Sequence, residues 1–417
     1  MQALPGFRDF YPEPVGVKDA ASAELRQHIF SAWRQVARRY GFCEYDGPPL
    51  EPLELYTLKS GAEIVEQLFH FADKGGRHVA LRPEMTPTLA RMVAVAERHY
   101  KKPIKWFAIP QLFRYEKPQK GRLREHFQLN ADIFGETDPA ADAELIALLI
   151  DTLRELGLGA DDFVLRLSSR RAWQSFFERD APDPSRAYEF YQAVDKLERE
   201  KPEITDAKLQ AVGSSLAKVQ EFIQAGEPNE ELHAVLANLE ARGLAAFAKI
   251  DYGVIRGLAY YTGIVFEAFD RKGEFRAIAG GGRYDNLVKL VSGGKVDLPG
   301  LGFGMGDVVL AELLRARGHV PAFKGGIDDF VLIEDESLRA ASLELVQKLR
   351  GRGRAVDYSF VAAKSDKQFK RALELGAQRT VRVERDEQGA LRVRLKDLAT
   401  RTETTTAWFN LLSELGG

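Results

Sequence analysis

The sequence predicts an α+β protein with an antiparallel sheet core flanked by helices, a helical insertion and a C-terminal α/β domain. Strand and helix signals alternate through residues 1–168, and strand signals resume in residues 244–320. Between these segments, residues 169–243 carry charged helical patterns without a strand signal. In residues 327–417, apolar runs alternate with amphipathic stretches, which is the rhythm of βα units. A chain of 417 residues also exceeds one ordinary hydrophobic core.

Composition limits the possible functions. The formal net charge is only -2, so a site for a polyanion requires a local cluster of Lys and Arg. Cys43 is the single cysteine, which excludes an intrachain disulfide and a cysteine-based zinc site, and we expect it to be a small core residue. No apolar stretch has the length of a signal or membrane-spanning segment. We therefore expect a cytoplasmic protein without a membrane partner, and we predict no metal ligands.

Several elements surround the polar residues of interest. Apolar residues at helical spacing predict helices, and short β-prone runs between turn residues predict strands. The predicted helices are residues 18–40, 87–99 and 139–156, and the predicted strands are 106–109, 127–133 and a strand pair between 68 and 82.

Two polar residues precede the second predicted helix. Glu84 and Thr86 are two residues apart at a strand end, so their side chains can point the same way. A carboxylate and a hydroxyl in this arrangement can bind an ammonium group. The alternative is a surface turn in which Thr86 caps the following helix.

A basic hairpin follows. Arg114 and Glu116 lead into a loop that contains Lys120 and Arg122, and the second strand starts soon after. Arginines gathered in this way suit a phosphate, because the guanidinium binds it with paired hydrogen bonds. The alternative is a solvated basic hairpin.

The second strand of the hairpin carries a polar stripe. Gln128, Asn130 and Asp132 alternate with apolar residues and therefore lie on one face. Three polar groups on one face of a central strand are costly in a core, so the stripe indicates a polar pocket.

Two later segments combine aromatic, basic and glycine residues. Tyr260 and Tyr261 follow Arg256 and could frame a flat polar ring; the alternative is a strand whose aromatic residues are core. Gly280, Gly281 and Gly282 end another predicted strand, where a ligand could lie directly against the backbone.

Together these segments resemble class II aminoacyl-tRNA synthetases, and among them the histidyl-tRNA synthetase family. Arg114-Tyr115-Glu116 with its basic loop resembles motif 2, and Pro49 with Glu51 resembles the end of motif 1, which builds the dimer in that class. Arg-Gly-Leu-x-Tyr-Tyr at 256–261 and Gly-Gly-Arg-Tyr-Asp at 281–285 resemble the two histidine-specific signatures. The resemblance extends over nearly the whole chain.

The resemblance implies an enzyme that activates L-histidine with ATP and Mg²⁺ and loads the product onto tRNA(His), as a homodimer. It implies that histidine is held by Glu84, Thr86, Gln128, Asp132, Tyr260 and Tyr261, with the first two on the α-amino group, Gln128 and Asp132 beside them, and the tyrosines around the imidazole. It implies that ATP is bound by Arg114, Glu116, Arg122 and Arg256, of which Arg114 and Arg256 are catalytic at the α-phosphate, Glu116 lies near the adenine and Arg122 meets the outer phosphates.

The C-terminal domain would read the anticodon. Its basic residues form two clusters, and such clusters suit a nucleic acid. The clusters are Arg350, Arg352 and Arg354 at a helix end, and Lys364, Lys367, Lys370 and Arg371 on a helix face. The alternative for each is a solvated helix.

The chain departs from the family pattern at three places. Ala259 stands where the family usually has Asp, and Asp132 stands where it usually has Glu. The motif 3 arginine, which pins the γ-phosphate of ATP, is replaced by Val308 or Val309. Another cation must then neutralise the phosphate tail. Our first candidate is Arg122, followed by Lys120 and Arg283.

The missing arginine leaves a second function open. A synthetase-like regulatory subunit that binds histidine and controls an ATP phosphoribosyltransferase of histidine biosynthesis would keep the fold and lose catalytic residues. Arg114, Arg122 and Arg256 are all present and the C-terminal module is complete, which favours the enzyme. A purely structural scaffold explains the convergent charges least well.

Overall fold

The computed structural model describes residues 3–12, 20–60, 62–119, 121–181, 183–197, 200–255, 261–323 and 326–408. The chain divides into two compact units, Met1–Val320 and Pro321–Gly417. The first unit contains an antiparallel sheet with helices, and the second is a small α/β unit, so the predicted α+β class is confirmed.

The first unit contains strands β1 to β14. They are β1 (Phe10–Tyr11), β2 (Ala21–Ser22), β3 (Cys43–Glu44), β4 (Leu50–Pro52), β5 (His70–Ala72), β6 (His78–Leu81), β7 (Ile104–Ala108), β8 (Gln111–Phe113), β9 (Glu125–Phe134), β10 (Phe163–Ser169), β11 (Ala248–Ile250), β12 (Ile264–Asp270), β13 (Ala279–Arg283) and β14 (Gly300–Gly306).

The same unit contains helices α1 to α11. They are α1 (Ala23–Arg39), α2 (Leu53–Ser60), α3 (Thr86–Ala96), α4 (Pro139–Glu155), α5 (Arg170–Asp180), α6 (Ala187–Val194), α7 (Pro202–Ala211), α8 (Leu216–Ala225), α9 (Glu230–Ala241), α10 (Leu287–Val291) and α11 (Asp307–Arg317).

The main sheet positions the polar stripe. Across the described residues it has nine strands, in the order β11-β10-β12-β13-β14-β9-β7-β3, with β8 paired to β9. Strand β9 lies between β14 and β7 and runs antiparallel to both. The predicted strand at 127–133 is therefore central, and it extends to Glu125–Phe134.

The two faces of β9 differ in character. Leu129, Ala131 and Ile133 are fully buried, and helices α4 and α11 pack against this strand. Helix α4 begins after Asp138, whose side chain accepts a hydrogen bond from the Ala140 amide at 2.8 Å. This N-cap fixes the start of the helix at residue 139, which is where the sequence predicted it to begin.

The N-terminal segment is held to β9 and α11 by a buried ionic group that we call the N-terminal clip, consisting of Arg8, Glu125 and Asp307. The Arg8 Nε lies 2.7 Å from Glu125 Oε1, and its Nη1 lies 2.9 Å from Asp307 Oδ2. Asp307 also accepts a hydrogen bond from the Phe127 amide at 3.0 Å. Because burial raises the pKa of Asp307, the guanidinium is needed to keep this carboxylate charged.

The segment from α5 to α9 forms a helical region with its own aromatic core. No strand occurs in it among the residues described between 170 and 241. Trp173 contacts Phe222 edge to face at 4.8 Å between ring centroids, and Phe176 stacks on Phe222 at 4.7 Å. These large buried rings supply most of the apolar contact between short helices.

The second unit is built from strands and helices that alternate along the chain. They are β15 (Asp329–Leu332), α12 (Arg339–Arg350), β16 (Val356–Tyr358), α13 (Ser365–Glu374), β17 (Arg379–Arg385), β18 (Leu391–Asp397) and β19 (Glu403–Ala407). The sheet order is β16-β15-β17-β18-β19, with the first three strands parallel. The predicted βα rhythm is confirmed, and an antiparallel pair completes the sheet.

Some basic residues of the second unit stabilise the fold. Asp329 is fully buried and pairs with Arg354 and with Arg379, the latter at 2.9 Å. Arg350 Nη2 donates to the Val356 carbonyl at 2.8 Å. Arg350 and Arg354 are therefore both bound to the sheet. Arg354 also supplies a cation that the buried Asp329 carboxylate needs.

Two further observations concern the surface. Cys43 is exposed, so its prediction as a core residue is wrong; it lies on β3, a two-residue strand at the sheet edge. Across the described ranges, no helix combines the length and the apolarity needed to cross a membrane.

Candidate active site

Glycines line one face of the main sheet at its centre. Gly280 of β13 pairs with Gly304 of β14, and Gly282 pairs with Gly302. Paired residues project to the same face of a sheet, so these four residues leave an area of bare backbone. We call Gly280, Gly282, Gly302 and Gly304 the glycine floor.

The glycine floor makes room for the polar stripe of β9. Gly302 pairs with Asp132, and a Cβ atom on Gly302 would lie 2.0 Å from Asp132 Oδ1. A Cβ atom on Gly304 would lie 2.7 Å from the side-chain amide of Gln128. Both side chains therefore lean over β14. The prediction that Gln128, Asn130 and Asp132 share one face of a central strand is confirmed.

Asp132 is a buried carboxyl group in an aromatic setting. The Tyr284 hydroxyl donates to Asp132 Oδ1, and Oδ2 has no hydrogen-bond partner among the residues that the structure describes. Burial raises the pKa of Asp132 to about 7, although the bond from Tyr284 acts in the opposite direction. Burial and the nearby Asp132 also raise the pKa of Tyr45. The unpaired oxygen can accept a hydrogen bond from a ligand.

Tyr261 lies at the same end of the glycine floor. A Cβ atom on Gly282 would approach its ring to 2.9 Å, so the ring covers bare backbone. Tyr261 also packs against the buried cluster that contains Tyr284 and Leu89. Tyr261 is thus also partly a core residue, as the alternative interpretation held. Arg256 and Tyr260 lie outside the described residues.

An arginine-rich cleft of about 180 Å³ lies at the other end of the glycine floor, which contributes Gly280 and Gly304. Four of the predicted site residues meet in this cleft, and two residues that we did not predict join them. The predicted residues are Arg114, Glu116, Arg122 and Gln128, and the additional ones are His126 and Arg276.

The predicted hairpin forms one wall of the cleft. Strands β8 and β9 are antiparallel, and the Arg114 amide donates to the Arg124 carbonyl at 2.9 Å. Gln119 and Arg122 exchange backbone hydrogen bonds of 2.9 Å around a tight turn, which needs Gly121 with its φ of 72°. Lys120, in the same turn, lies outside the described residues.

The side chains of the hairpin face one another. Arg122 Nη1 lies 2.9 Å from Glu116 Oε2, so these two residues form an ion pair within the cleft. Arg114 Nε donates to the Pro83 carbonyl at 3.1 Å, which ties Arg114 to the residue before Glu84. Thr86 is the first residue of α3, and Met85 at the N-cap makes no side-chain bond. Thr86 is therefore not the N-cap that the alternative interpretation required.

His126 contributes no charge to the cleft near neutral pH. Burial, Arg114 and Arg8 lower its pKa to about 3. His126 is two residues before Gln128, so extending the same period-two stripe would have found it. Arg276 precedes β13, and no spacing in the sequence marks it.

Arg283 does not belong to the cleft. Its guanidinium pairs with Asp142, and Nη1 donates to the Glu136 carbonyl at 2.7 Å. Arg283 pairs with Leu301 in the sheet and therefore projects to the opposite face from the glycine floor. Our prediction of Arg283 as a candidate for the phosphate tail is wrong for this reason.

No group of three or more His, Cys, Asp or Glu side chains in the described part of the chain could hold a metal ion. Among the described residues that line the cleft there is one carboxylate, Glu116, beside Arg114, Arg122 and Arg276. The arrangement suits an anionic ligand with several charged oxygens.

Comparisons with known proteins point to one family. A family model described as histidyl-tRNA synthetase matches residues 16–306. A histidine–tRNA ligase of Opitutus terrae is 48% identical over 425 residues, which cover 97% of this chain and 95% of that protein. A histidine–tRNA ligase of Leptospira biflexa is 37% identical over 433 residues, which cover 98% and 96%.

The fold has solved counterparts. The crystal structure of histidyl-tRNA synthetase from Nostoc sp. PCC 7120 superposes with a TM-score of 0.75 over 94% of this chain and 95% of that chain, at 23% identity. At that identity the likeness concerns the fold alone. The family model spans more than half of the chain, and two relatives match nearly all of it. The chain belongs to the histidyl-tRNA synthetase family.

Proposed function

We propose that the glycine floor joins a histidine pocket to an ATP cleft, and that the two substrates react above it. The activity is that of a histidine–tRNA ligase, which forms histidyl-adenylate and transfers histidine to tRNA(His). The observation that carries this assignment is the continuous floor between Asp132 and the arginine-rich cleft. The regulatory-subunit alternative is not favoured, because the relatives that cover 97% and 98% of the chain are histidine–tRNA ligases.

Histidine would bind at the end that contains Asp132. An imidazole N–H is a donor, and the unpaired Oδ2 of Asp132 is a buried acceptor. Tyr261 would stack beside the ring, and Tyr260 would complete the pocket as the family resemblance implies. The α-amino group would then face Gln128, at the start of the cleft, with Glu84 and Thr86 as its further ligands.

ATP would bind in the cleft with its α-phosphate nearest the floor. Arg114, tied to Pro83, would neutralise the charge that develops on the α-phosphate, and Arg256 would act on the same phosphate as the family resemblance implies. Glu116 would lie near the adenine, and Arg122, which is paired with it, would face the outer phosphates. The histidine carboxylate attacks the α-phosphorus and pyrophosphate leaves, so no protein side chain has to act as the nucleophile. Catalysis then rests on positioning and fixed charge.

Mg²⁺ would enter with the phosphates of ATP. This ion keeps several waters and commonly uses only one or two protein carboxylates together with substrate phosphates. The cleft fits that pattern, because Glu116 is the one carboxylate among its described lining residues. Bound Mg²⁺ would offset the negative charge of the leaving pyrophosphate.

The second unit would bind the anticodon of tRNA(His). Helix α13 and its N-cap residue carry four exposed basic residues, and exposed cations attract phosphates. They are Lys364, Lys367, Lys370 and Arg371. Lys370 and Arg371 lie 4.0 and 3.7 Å from Glu374, so Lys364 and Lys367 are the stronger candidates.

A homodimer that works in the cytoplasm completes the proposal. Large apolar side chains are exposed in the region that includes the motif 1 segment, and such exposure is typical of an interface. These residues are Leu50, Leu58, Phe71, Val95 and Tyr100. A second copy of the chain would cover them.

The purified chain alone should catalyse histidine-dependent exchange of pyrophosphate into ATP. The reason is that one chain supplies the cations of the cleft together with the histidine pocket. The measurement is incorporation of labelled pyrophosphate with and without histidine and Mg²⁺. Absence of exchange, together with histidine-sensitive co-purification with a phosphoribosyltransferase, would favour the regulatory subunit.

Asp132→Asn should raise the KM for histidine by about tenfold or more, the scale of a lost charged hydrogen bond, with little change in the KM for ATP. Asn keeps an acceptor for Tyr284 and removes the carboxylate. Steady-state exchange kinetics at pH 8 measure both constants. The matched control is Asp297→Asn, whose carboxyl is 68% exposed and away from the site. Equal loss for both substrates would contradict the imidazole assignment.

The same variant should change the pH dependence of stability. Asp132 has a folded-state pKa of about 7, above the ordinary 3.8, so folding takes up a proton between these values. Stability of the wild type therefore falls as pH rises through this window, and Asp132→Asn should lose that part of the slope. Thermal melts from pH 5 to pH 8 test this, and an unchanged slope would argue against a buried, titrating Asp132.

Lys364→Glu combined with Lys367→Glu should raise the KM for tRNA(His) by about tenfold or more, because both cations become repulsive to phosphate. Histidine-dependent exchange should be unchanged and serves as the internal control. Aminoacylation with labelled histidine measures the effect. Normal charging by the variant would show that this face of α13 is only a solvated surface.

Val95→Glu should dissociate the homodimer, because the Val95 side chain is 81% exposed and a charge there opposes burial. Sedimentation should give twice the 46.7 kDa chain mass for the wild type and a shift toward one chain for the variant. Val361→Glu, at an exposed valine of the second unit, is the matched control. A wild type of single-chain mass would exclude the dimer.

A further inference from the structure

The cleft contains an arginine to which none of the family motifs assigns a role. Arg276 lies in the connection between β12 and β13, four residues before Gly280. It is an exposed residue and lines the cleft together with Arg114 and Arg122. A triphosphate requires several surrounding cations, because its own charges repel one another.

Arg276 lies beside the position from which the motif 3 arginine is missing. Val309, at that position, is buried and lines the same cleft. A Cβ atom on Gly121 would lie 3.3 Å from Val309 Cγ2 and 3.7 Å from Arg276 Cδ. Val309 and Arg276 therefore border the same point of the hairpin turn, although they come from different elements. A guanidinium carried by Arg276 can occupy the region that an arginine at position 309 would reach.

The other two arginines of the cleft are suited to different tasks. Arg122 is paired with Glu116 at 2.9 Å, and a neighbouring carboxylate weakens the pull of a cation on a phosphate. Arg114 is tied to the Pro83 carbonyl, at the side of the cleft that leads to Glu84. Among the described residues that line the cleft, Arg276 is the remaining arginine.

We propose that Arg276 binds the outer phosphates of ATP and takes the place of the missing motif 3 arginine. This inference rests on the proposed function, since it assumes that ATP occupies the cleft. Arg276 would hold the leaving pyrophosphate in line with the attacking carboxylate. A bond forms between the histidine carboxylate oxygen and the α-phosphorus, the bond to the bridging oxygen breaks, and pyrophosphate carries away that electron pair.

The test compares nucleotides that differ only in the outer phosphates. ATP and AMP binding to the full chain with Mg²⁺ is measured by calorimetry for the wild type, Arg276→Ala, Arg276→Lys and Arg122→Ala. Arg276→Ala should weaken ATP binding by about tenfold or more, the scale of a charged hydrogen bond, and change AMP binding less than about twofold. Arg276→Lys should recover part of the loss, because it keeps the charge without the paired donors.

A matched control comes from the same connection. Lys272 is exposed, four residues before Arg276, and does not line the cleft, so Lys272→Ala should bind both nucleotides like the wild type. Exchange kinetics should give Arg276→Ala a raised KM for ATP and an unchanged KM for histidine.

Two results would overturn the assignment of Arg276. These are an unchanged ratio of ATP to AMP affinity in Arg276→Ala, with or without an equal loss of both nucleotides, and a loss specific to ATP that appears only in Arg122→Ala. Failure of the proposed function has a different signature, because the wild type itself would then bind no ATP or support no histidine-dependent exchange. If the wild type binds ATP without exchange, the affinity ratio still decides the role of Arg276.

Discussion

The close pairing of Gly302 with Asp132 is the constraint on which the site depends. Any side chain on Gly302 would collide with the carboxyl group, which would then lose its place beside Tyr284. Gly304 does the same for Gln128, at the edge of the cleft. The glycine face of a single strand, β14, thus sets the depth of both ends, and it lets a ligand approach the backbone more closely than a face with side chains would allow.

Charge is divided between the two ends of the glycine floor. Asp132 is buried among aromatic residues, where its ionisation is costly, while the cleft gathers arginines around a neutral His126. The cost of the buried carboxyl has to be offset elsewhere in the fold. The apolar residues on the opposite face of β9 are buried under α4 and α11, and such burial is stabilising. Many functional sites lower the stability of the fold in this way, because the function requires groups that are costly to bury.

Much of the site could be predicted from patterns within single segments. The rest depends on the register between strands that are distant in the sequence. The period-two stripe was sufficient to place Gln128 and Asp132 on one face, because alternation is a property of a single strand. Their fit against β14 requires a partner strand about 170 residues away, which no local pattern encodes. Arg354 and Arg276 illustrate the same limit: one proved to be paired with Asp329, and the other entered the cleft without any spacing signal. The roles of Arg256 and Tyr260 still rest on the family resemblance.

The N-terminal clip has a consequence for how the chain acquires its structure. Arg8 is 117 residues from Glu125 and 299 residues from Asp307 along the sequence. During synthesis Arg8 therefore precedes both partners, and Asp307 follows it by 299 residues. Contacts of such long sequence separation form late and slow the folding of a domain. The clip can therefore be completed only after β14 and α11 have been made, and these elements also complete the wall beside the cleft.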